Sequence, residues 1–474
     1  MGSVDRKPDG ADTDLATEEQ LQSYTRAETD LAQLRMPVLL HAGNPHERLY
    51  IAAQDGTGNS LYKDAPENQS IVARVHSQIR DLKDQGVTNL ASGYVEGIYT
   101  QDNPLKRIPD GINGYTFERR AEKAYHQFCE QAKAWLKDDP NAQIRVMGIG
   151  FSRGAEQTAA LMRMIDERGI QDPEGAKIVL DGENLIIHAE YTKPLLVPPG
   201  QTIQAALLLD PVATGLEEHD RRLPASVMSV LQITAADERR DLFKSSDHIP
   251  AGFSEDNRAL NATVGGAHSD IGNTYAIDGL GVLSYNLAAQ YINRLSDTPI
   301  VQARIAPEDP DLYRVHHSEQ HAFFYRTQGY DADGLRDHVN EMGSEAQCLV
   351  VPVRECFGKD PMSPVLEQQL ERHTAAPSLA PAQQSDVTPK SDLDRMIDQL
   401  YAASLSGSNA AWQHAIQTTS QQFMASPQGQ AWQQEVDQYG QAQQALQEAQ
   451  QQQQRQQSAQ QQEAPAHQPH AMRM

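Results

Sequence analysis

Up to about residue 300 the chain alternates short apolar runs with longer stretches in which apolar side chains recur every three or four positions. One stretch organises the rest. Ile144, Val146, Met147 and Ile149 form a short apolar run that reads as a buried parallel strand. Beyond it the period changes, and Ala155, Ala159, Leu161, Met162 and Ile165 fall in helical register. The turn between is Gly150-Phe151-Ser152-Arg153-Gly154, with a serine at its apex and a glycine two residues to either side.

The same reasoning predicts strands over 48–53, 88–94, 205–209, 226–235 and 259–264, and helices over 68–83, 115–136 and 281–295. Two β-rich runs within about 177–203 predict a small β insertion. Strands separated by helices and long loops imply an α/β fold with a mostly parallel central sheet. Such sheets place their sites in the loops at the strand C-terminal ends. The first 35 residues are polar and acidic and predict a flexible arm, disordered or loosely helical. A catalytic domain is expected over 36–372 and a Pro/Ala/Ser/Gln linker over 373–390. A helical region that ends in a glutamine tract, 391–474, completes the chain. The loop 96–114 and the His- and aromatic-rich stretch 311–330 are candidate covers for the site.

Composition narrows the function. At 474 residues there is room for one large α/β domain and extensions. A formal net charge of −24 argues against a nucleic-acid partner, and against electrostatic docking on anionic lipid without a local basic or apolar patch. No apolar run is long enough to span a bilayer, and the N-terminus lacks the apolar core of a Sec signal. Cys129, Cys348 and Cys356 make neither a disulfide framework nor a metal site.

The turn at Ser152 has the layout of a nucleophile elbow: strand, tight turn and helix, with small neighbours that let strand and helix approach. A serine that merely caps the following helix would fit the same residues. Acyl transfer also needs a base, an acid that orients it and donors for an oxyanion. His268 follows the strand 259–264 in a glycine-rich loop and is the expected base. Asp210, at the end of 205–209, and Asp237, at the end of the next strand, are the two candidate acids. Asp237 could instead pair with Arg239 or Arg240, and Asp270 is expected to brace the His268 loop. The backbone N–H of Arg153 is one expected oxyanion donor. The other is expected from Gly56 or Thr57, in the turn after strand 48–53, with Asp55 holding that turn.

The ordered set DGTGN, GFSRGA, LLDPVATG, ADERR and GGAHSDIGNTY resembles the α/β-hydrolase family of type VI secretion lipase effectors. The resemblance runs over roughly residues 47–300. Gln54 stands where that family has Phe, Pro211 replaces the Thr of its DTV, and Asn273 replaces a Gly. The resemblance implies an α/β-hydrolase fold and a phospholipase acting on acyl esters of membrane glycerophospholipids. Its nucleophile would be Ser152, its base His268 and its acid Asp210, with no metal or organic cofactor. It also implies an antibacterial toxin, made in the producer's cytoplasm, delivered into a target cell and neutralised by a cognate immunity protein. The glutamine-rich tail is similar in composition to the C-terminal signal regions of type IV secretion effectors that kill bacteria. It is a candidate contact with secretion machinery. A soluble carboxylesterase and a non-catalytic binding module on a hydrolase fold remain as alternatives.

Overall fold

The nine residues Gln143–Phe151 form an interior strand of the main sheet: eight are buried, because parallel strands flank them on both sides and helices cover both faces. This computed structural model describes residues 9–98, 116–216, 219–320, 336–339 and 358–373. It also describes five helical positions, Thr418, Gln421, Gln422, Ala425 and Gln430. Met1–Ser378 and Leu379–Met474 are separate units. The five helical positions belong to the second. The linker 373–390 and the loop 96–114 fall mostly, and the glutamine tract wholly, outside the described residues, as do residues 321–330 of the stretch 311–330.

In chain order the main elements are α1 (Glu18–Gln33), β1 (Glu47–Gln54), α2 (Ile71–Asp84), β2 (Leu90–Val95), α3 (Phe117–Asp138), β3 (Gln143–Phe151) and α4 (Arg153–Arg168). They are followed by β4 (Ile203–Leu209), β5 (Val227–Ala235), β6 (Gly252–Phe253), β7 (Ala259–Val264), α5 (His268–Ile271) and α6 (Gly279–Asn293). The seven strands make one sheet in the order β6-β7-β5-β4-β3-β1-β2. All neighbours are parallel except the short edge strand β6. The chain reverses direction across the sheet between β1 and β3. Such switch points open a crevice at the strand C-terminal ends.

Alternation along each strand divides the core. Leu49, Ile51, Met147, Ile149, Leu207 and Ile233 pack on one side with Tyr24 and Leu31 of α1, Val75 of α2 and Tyr291 of α6. Tyr50, Ala52, Val146, Ala206, Leu208 and Val230 pack on the other with Phe128 and Trp135 of α3 and Leu161 and Ile165 of α4. Period-two patterning on a sheet covered on both faces produces two apolar layers.

Two expectations need correction. The segment taken for a flexible arm carries α1, started by a Thr17–Gln20 capping box, with Tyr24, Ala27 and Leu31 buried in the core. Strand Thr13–Leu15 before it pairs antiparallel with Arg314–His316. The insertion is smaller than expected. Lys177–Leu180 and Ile186–Glu190 form a hairpin, but the run after Pro194 contributes only a bridge from Val197 to Ile170. Pro194, Pro198 and Pro199 lack the N–H groups a ladder needs.

Candidate active site

The elbow is built as its sequence implies. β3 ends at Phe151 and α4 begins at Arg153, so Ser152 alone makes the turn, at φ 59° and ψ −130°. A left-handed backbone at a non-glycine residue costs on the order of 1–3 kcal/mol and persists only where its surroundings enforce it. Here Ser152 N–H donates to Leu209 O of β4 at 2.9 Å. Gly154 lets α4 approach the end of β1. A Cβ there would sit 2.3 Å from Gln54 O. At Gly150 a Cβ would meet Gly154 O at the same distance.

Ser152 is buried, with 2% of its surface exposed, at the point where β1, β3 and β4 end. Asp210 follows the last residue of β4 and is fully buried. Its backbone is also left-handed, at φ 40°, and its N–H donates to Ile233 O at 2.7 Å. That turn aims the carboxylate at His268, whose Nδ1 lies 2.5 Å from Asp210 Oδ2. The His268 ring is sandwiched: Phe151 stacks on it at 4.6 Å and Phe243 meets it edge-on at 4.9 Å. The imidazole is therefore packed against the residue that precedes Ser152. Nδ1 is committed to Asp210, which leaves Nε2 as the nitrogen that can take a proton. Among the described residues Ser152 Oγ makes no hydrogen bond.

Burial is the largest influence on His268 and lowers its pKa below the usual imidazole value, against the pull of Asp210, so the ring is neutral at pH 7. Burial pushes Asp210 the other way, but Arg336 and His268 outweigh it and hold the carboxyl well below the usual carboxylate range.

The second candidate acid goes elsewhere. Asp237 Oδ2 accepts from Gly266 N at 2.7 Å and from Gln20 Nε2 at 2.9 Å, and Asp237 Oδ1 lies 3.6 Å from Arg239. It ties the His268 loop to α1. Its neighbour Glu238 touches the base residue through the main chain: Oε2 accepts from the His268 backbone N–H at 3.2 Å and from Arg240 at 2.9 Å. Burial raises its pKa, but Arg240 prevails and brings it down to about 2.

Asp270 braces the base loop, as expected from its position. Oδ2 accepts from Ala267 N at 2.8 Å, and Oδ1 lies 2.6 Å from His316 Nδ1. His316 is buried, stacks on Tyr275 at 3.9 Å and reaches Asp9 with Nε2 at 3.3 Å. Burial works against its charge, yet the two carboxylates raise its pKa to about 9. A histidine with a raised folded-state pKa stabilises the protein fully below its unfolded value near 6.5. That contribution is lost as pH rises through about 9. Urea midpoints measured from pH 6 to 10 are therefore expected to fall across that window, and to fall less in His316→Gln. An equal slope in the two proteins would remove His316 as the source.

In the early turn the two candidate donors differ. Gly56 N–H donates to Asp55 Oδ1 at 2.8 Å and is already engaged. Asp55 Oδ2 accepts from Tyr94 at 2.6 Å, and burial raises the Asp55 pKa to about 6. Thr57 Oγ1 accepts from Arg153 Nε at 2.8 Å, which ties the turn to the elbow. Thr57 N–H meets no acceptor among the described residues. Sequence reasoning missed Arg336, Glu238, Phe243 and His316. Glu238 lies within the ADERR motif and His316 within the stretch 311–330, but Phe243 and Arg336 stand outside every motif singled out from the sequence.

The family model for the catalytic domain of Tle1-like phospholipase effectors of type VI secretion matches residues 48–193. That span holds Asp55, Gly56, Thr57, Ser152 and Arg153 and ends before Asp210 and His268. Two solved structures are similar. An uncharacterized protein from Pseudomonas aeruginosa is 16% identical, with 66% of this chain and 54% of that chain covered at a TM-score of 0.35. The Tle1 effector bound to the VgrG spike of the type 6 secretion system is 18% identical, with 50% and 52% covered at a TM-score of 0.27. This chain thus spans about half the length of both. No curated protein matches it. No helix among the described residues is long and apolar enough to cross a membrane, and no described cluster of side chains could hold a metal ion.

Proposed function

We propose that the protein is a serine-dependent lipid esterase: an α/β-hydrolase of the phospholipase A type that acts as a type VI secretion effector. The observation that carries the chemistry is the buried His268–Asp210 pair, 2.5 Å apart, packed through Phe151 against the strained Ser152. The match of residues 48–193 to the Tle1-like catalytic domain supports lipid as the substrate class. His268 Nε2 takes the Ser152 proton as Oγ bonds to the ester carbonyl carbon. The hydrogen bond this requires is made on substrate binding, since catalytic hydrogen bonds commonly tighten only in the complex. The backbone N–H groups of Arg153 and Thr57 receive the oxyanion. The acyl C–O bond then breaks, the lysolipid leaves with the proton from His268, and water attacks the acyl-serine by the same path to release the fatty acid. Asp210, rather than Asp237, orients the base.

As an effector the enzyme leaves the producer's cytoplasm through the secretion machinery, reaches the membranes of a target cell and is held in check by an immunity protein. The C-terminal region is the candidate contact with that machinery. A fluorophosphonate probe is expected to label the native protein, and phospholipid vesicles are expected to release fatty acid. Failure of both with folded native protein would end the hydrolase reading. Labelling by the probe and hydrolysis of small esters, without vesicle hydrolysis, would overturn the lipid assignment alone.

A further inference from the structure

Asp210 has a partner that the triad does not require. Arg336 places Nη1 at 2.5 Å from Oδ1 and Nη2 at 2.9 Å from Oδ2, a two-pronged grip on both carboxylate oxygens. The guanidinium is itself buried and anchored, with Nη1 donating to Ala235 O at 2.8 Å and Nη2 to Phe243 O at 2.8 Å. Phe243 is the residue that meets His268 edge-on. One arginine thus touches the acid and the backbone of an aromatic that fixes the base. Ala235 N–H completes the shell, donating to Asp210 Oδ1 at 2.8 Å.

The segment that delivers it is docked by backbone. His338 and Val339 pair in parallel with Ser245 and Ser246. Ser245 N–H donates to Asp337 O at 3.0 Å, and Asp247 N–H to Val339 O at 2.9 Å. His338 adds a contact to Asp247 at 3.0 Å.

A buried ionised carboxylate needs a permanent counter-charge, and its desolvation costs several kcal/mol when unpaired. His268 cannot be that partner throughout the cycle, because a general base is neutral between turnovers. The charged groups around His268 pair off accordingly. Asp210 faces it from the end of β4 with Arg336. Glu238 faces it from the loop after β5 with Arg240. Asp270, two residues along its own helix, is paired with His316.

We infer that Arg336 is a positioning residue of this site, which holds the Asp210 carboxylate ionised and turned toward His268 Nδ1, and that docking of segment 336–339 completes the catalytic machinery. The inference rests on the proposed roles of Ser152, His268 and Asp210. Without the guanidinium, Asp210 either takes up a proton or swings toward another donor. Where it stays charged, its field acts on the imidazole unopposed. The imidazolium is then favoured, the pKa of the base rises, and the acid limb of the pH profile moves upward.

The test compares native protein, Arg336→Lys, Arg336→Ala and Ser152→Ala on phospholipid vesicles, with kcat and KM measured from pH 5 to 9. Arg336→Ala is expected to lose kcat by about 10²-fold with little change in KM, as for a group that acts only on the reacting base. Its acid limb should move up by about one pH unit. Added guanidinium chloride, at concentrations below those that unfold the protein, should restore part of the rate in Arg336→Ala and none in Ser152→Ala. Arg336→Lys keeps the charge but not the two-pronged grip, and should fall between the two. It also serves as the folded variant if Arg336→Ala does not fold. Native kcat and pH profile in Arg336→Lys and Arg336→Ala, alongside a dead Ser152→Ala, would overturn the role of Arg336 and leave the triad standing. Inactive native protein, or an active Ser152→Ala, would overturn the triad reading and this inference with it.

Discussion

A protein carrying Ser152→Gly is expected to be inactive and more stable than its parent. The two effects have one cause. Ser152 sits at φ 59° because the approach of β3, α4 and β4 leaves no other path for the chain. That backbone costs a residue with a Cβ on the order of 1–3 kcal/mol, and glycine almost nothing. Glycine gives back part of the gain through the greater freedom of its unfolded chain. The net expectation is a rise of about 1 kcal/mol, read as a higher urea midpoint at unchanged slope. Fatty-acid release from vesicles should fall by about 10⁴-fold or more, because no other group supplies the attacking oxygen. Ser152→Ala should lose the same activity without the gain in stability. Residual activity above about 1% of native in either variant would show that the nucleophile lies elsewhere.

What the sequence made legible follows from how local each signal is. β3, the elbow and α4 lie within 26 consecutive residues, from Gln143 to Arg168, and both glycines are explained by contacts inside that stretch or with the neighbouring strand end. The other core strands announce themselves because a strand covered on both faces must be apolar throughout. That α1 is a packed core helix and not a loose one is hidden for the converse reason. Its buried stripe is Ser23, Tyr24, Ala27 and Leu31, which carries little hydropathy, and its surest mark is the Thr17–Gln20 capping box.

Pattern alone leaves both Asp210 and Asp237 open, since both follow a buried strand, and the motif resemblance favours Asp210. The choice turns on which carboxylate the neighbouring strand aims inward. The Asp210 backbone is held by Ile233 O and turns toward the imidazole, while Asp237 is drawn off by Gly266 N–H and Gln20. Gly56 and Thr57 stand as equal candidates in the sequence for a related reason. A loop glycine with a free N–H looks the same in sequence as one whose N–H is already taken by the preceding aspartate. Arg336 lies 126 residues from the acid it grips, in a polar stretch without periodicity, and only the pairing of 338–339 with 245–246 brings it in.

Arg221→Met is expected to destabilise the protein by about 3–5 kcal/mol, because it leaves a carboxylate buried without its permanent counter-charge. Glu156 is one turn into α4 from Ser152 and has no exposed surface. Its Oε2 accepts from Arg221 Nη1 at 2.9 Å and faces His248 Nε2 at 3.1 Å, and both partners are buried as well. Burial raises the Glu156 pKa, but His248 and Arg221 together bring it down to about 2. A carboxylate with a depressed folded-state pKa contributes its stability above the unfolded value near 4.5. It loses that contribution as pH falls through the folded value, so acid unfolding should set in between about pH 4.5 and 2. Adding Glu156→Gln to Arg221→Met removes the stranded charge and should recover about half of the loss. The double variant should also unfold with a shallower dependence on acid pH. Urea unfolding of the two variants at pH 7 and pH 4 checks both statements. A loss below about 1 kcal/mol in Arg221→Met, or no recovery in the double variant, would mean that the elbow helix is anchored by packing alone. Because this anchor lies in the first turns of the helix that Ser152 leads into, Arg221→Met should also lower vesicle hydrolysis at temperatures where it remains folded. A packing defect far from α4 would leave that rate alone.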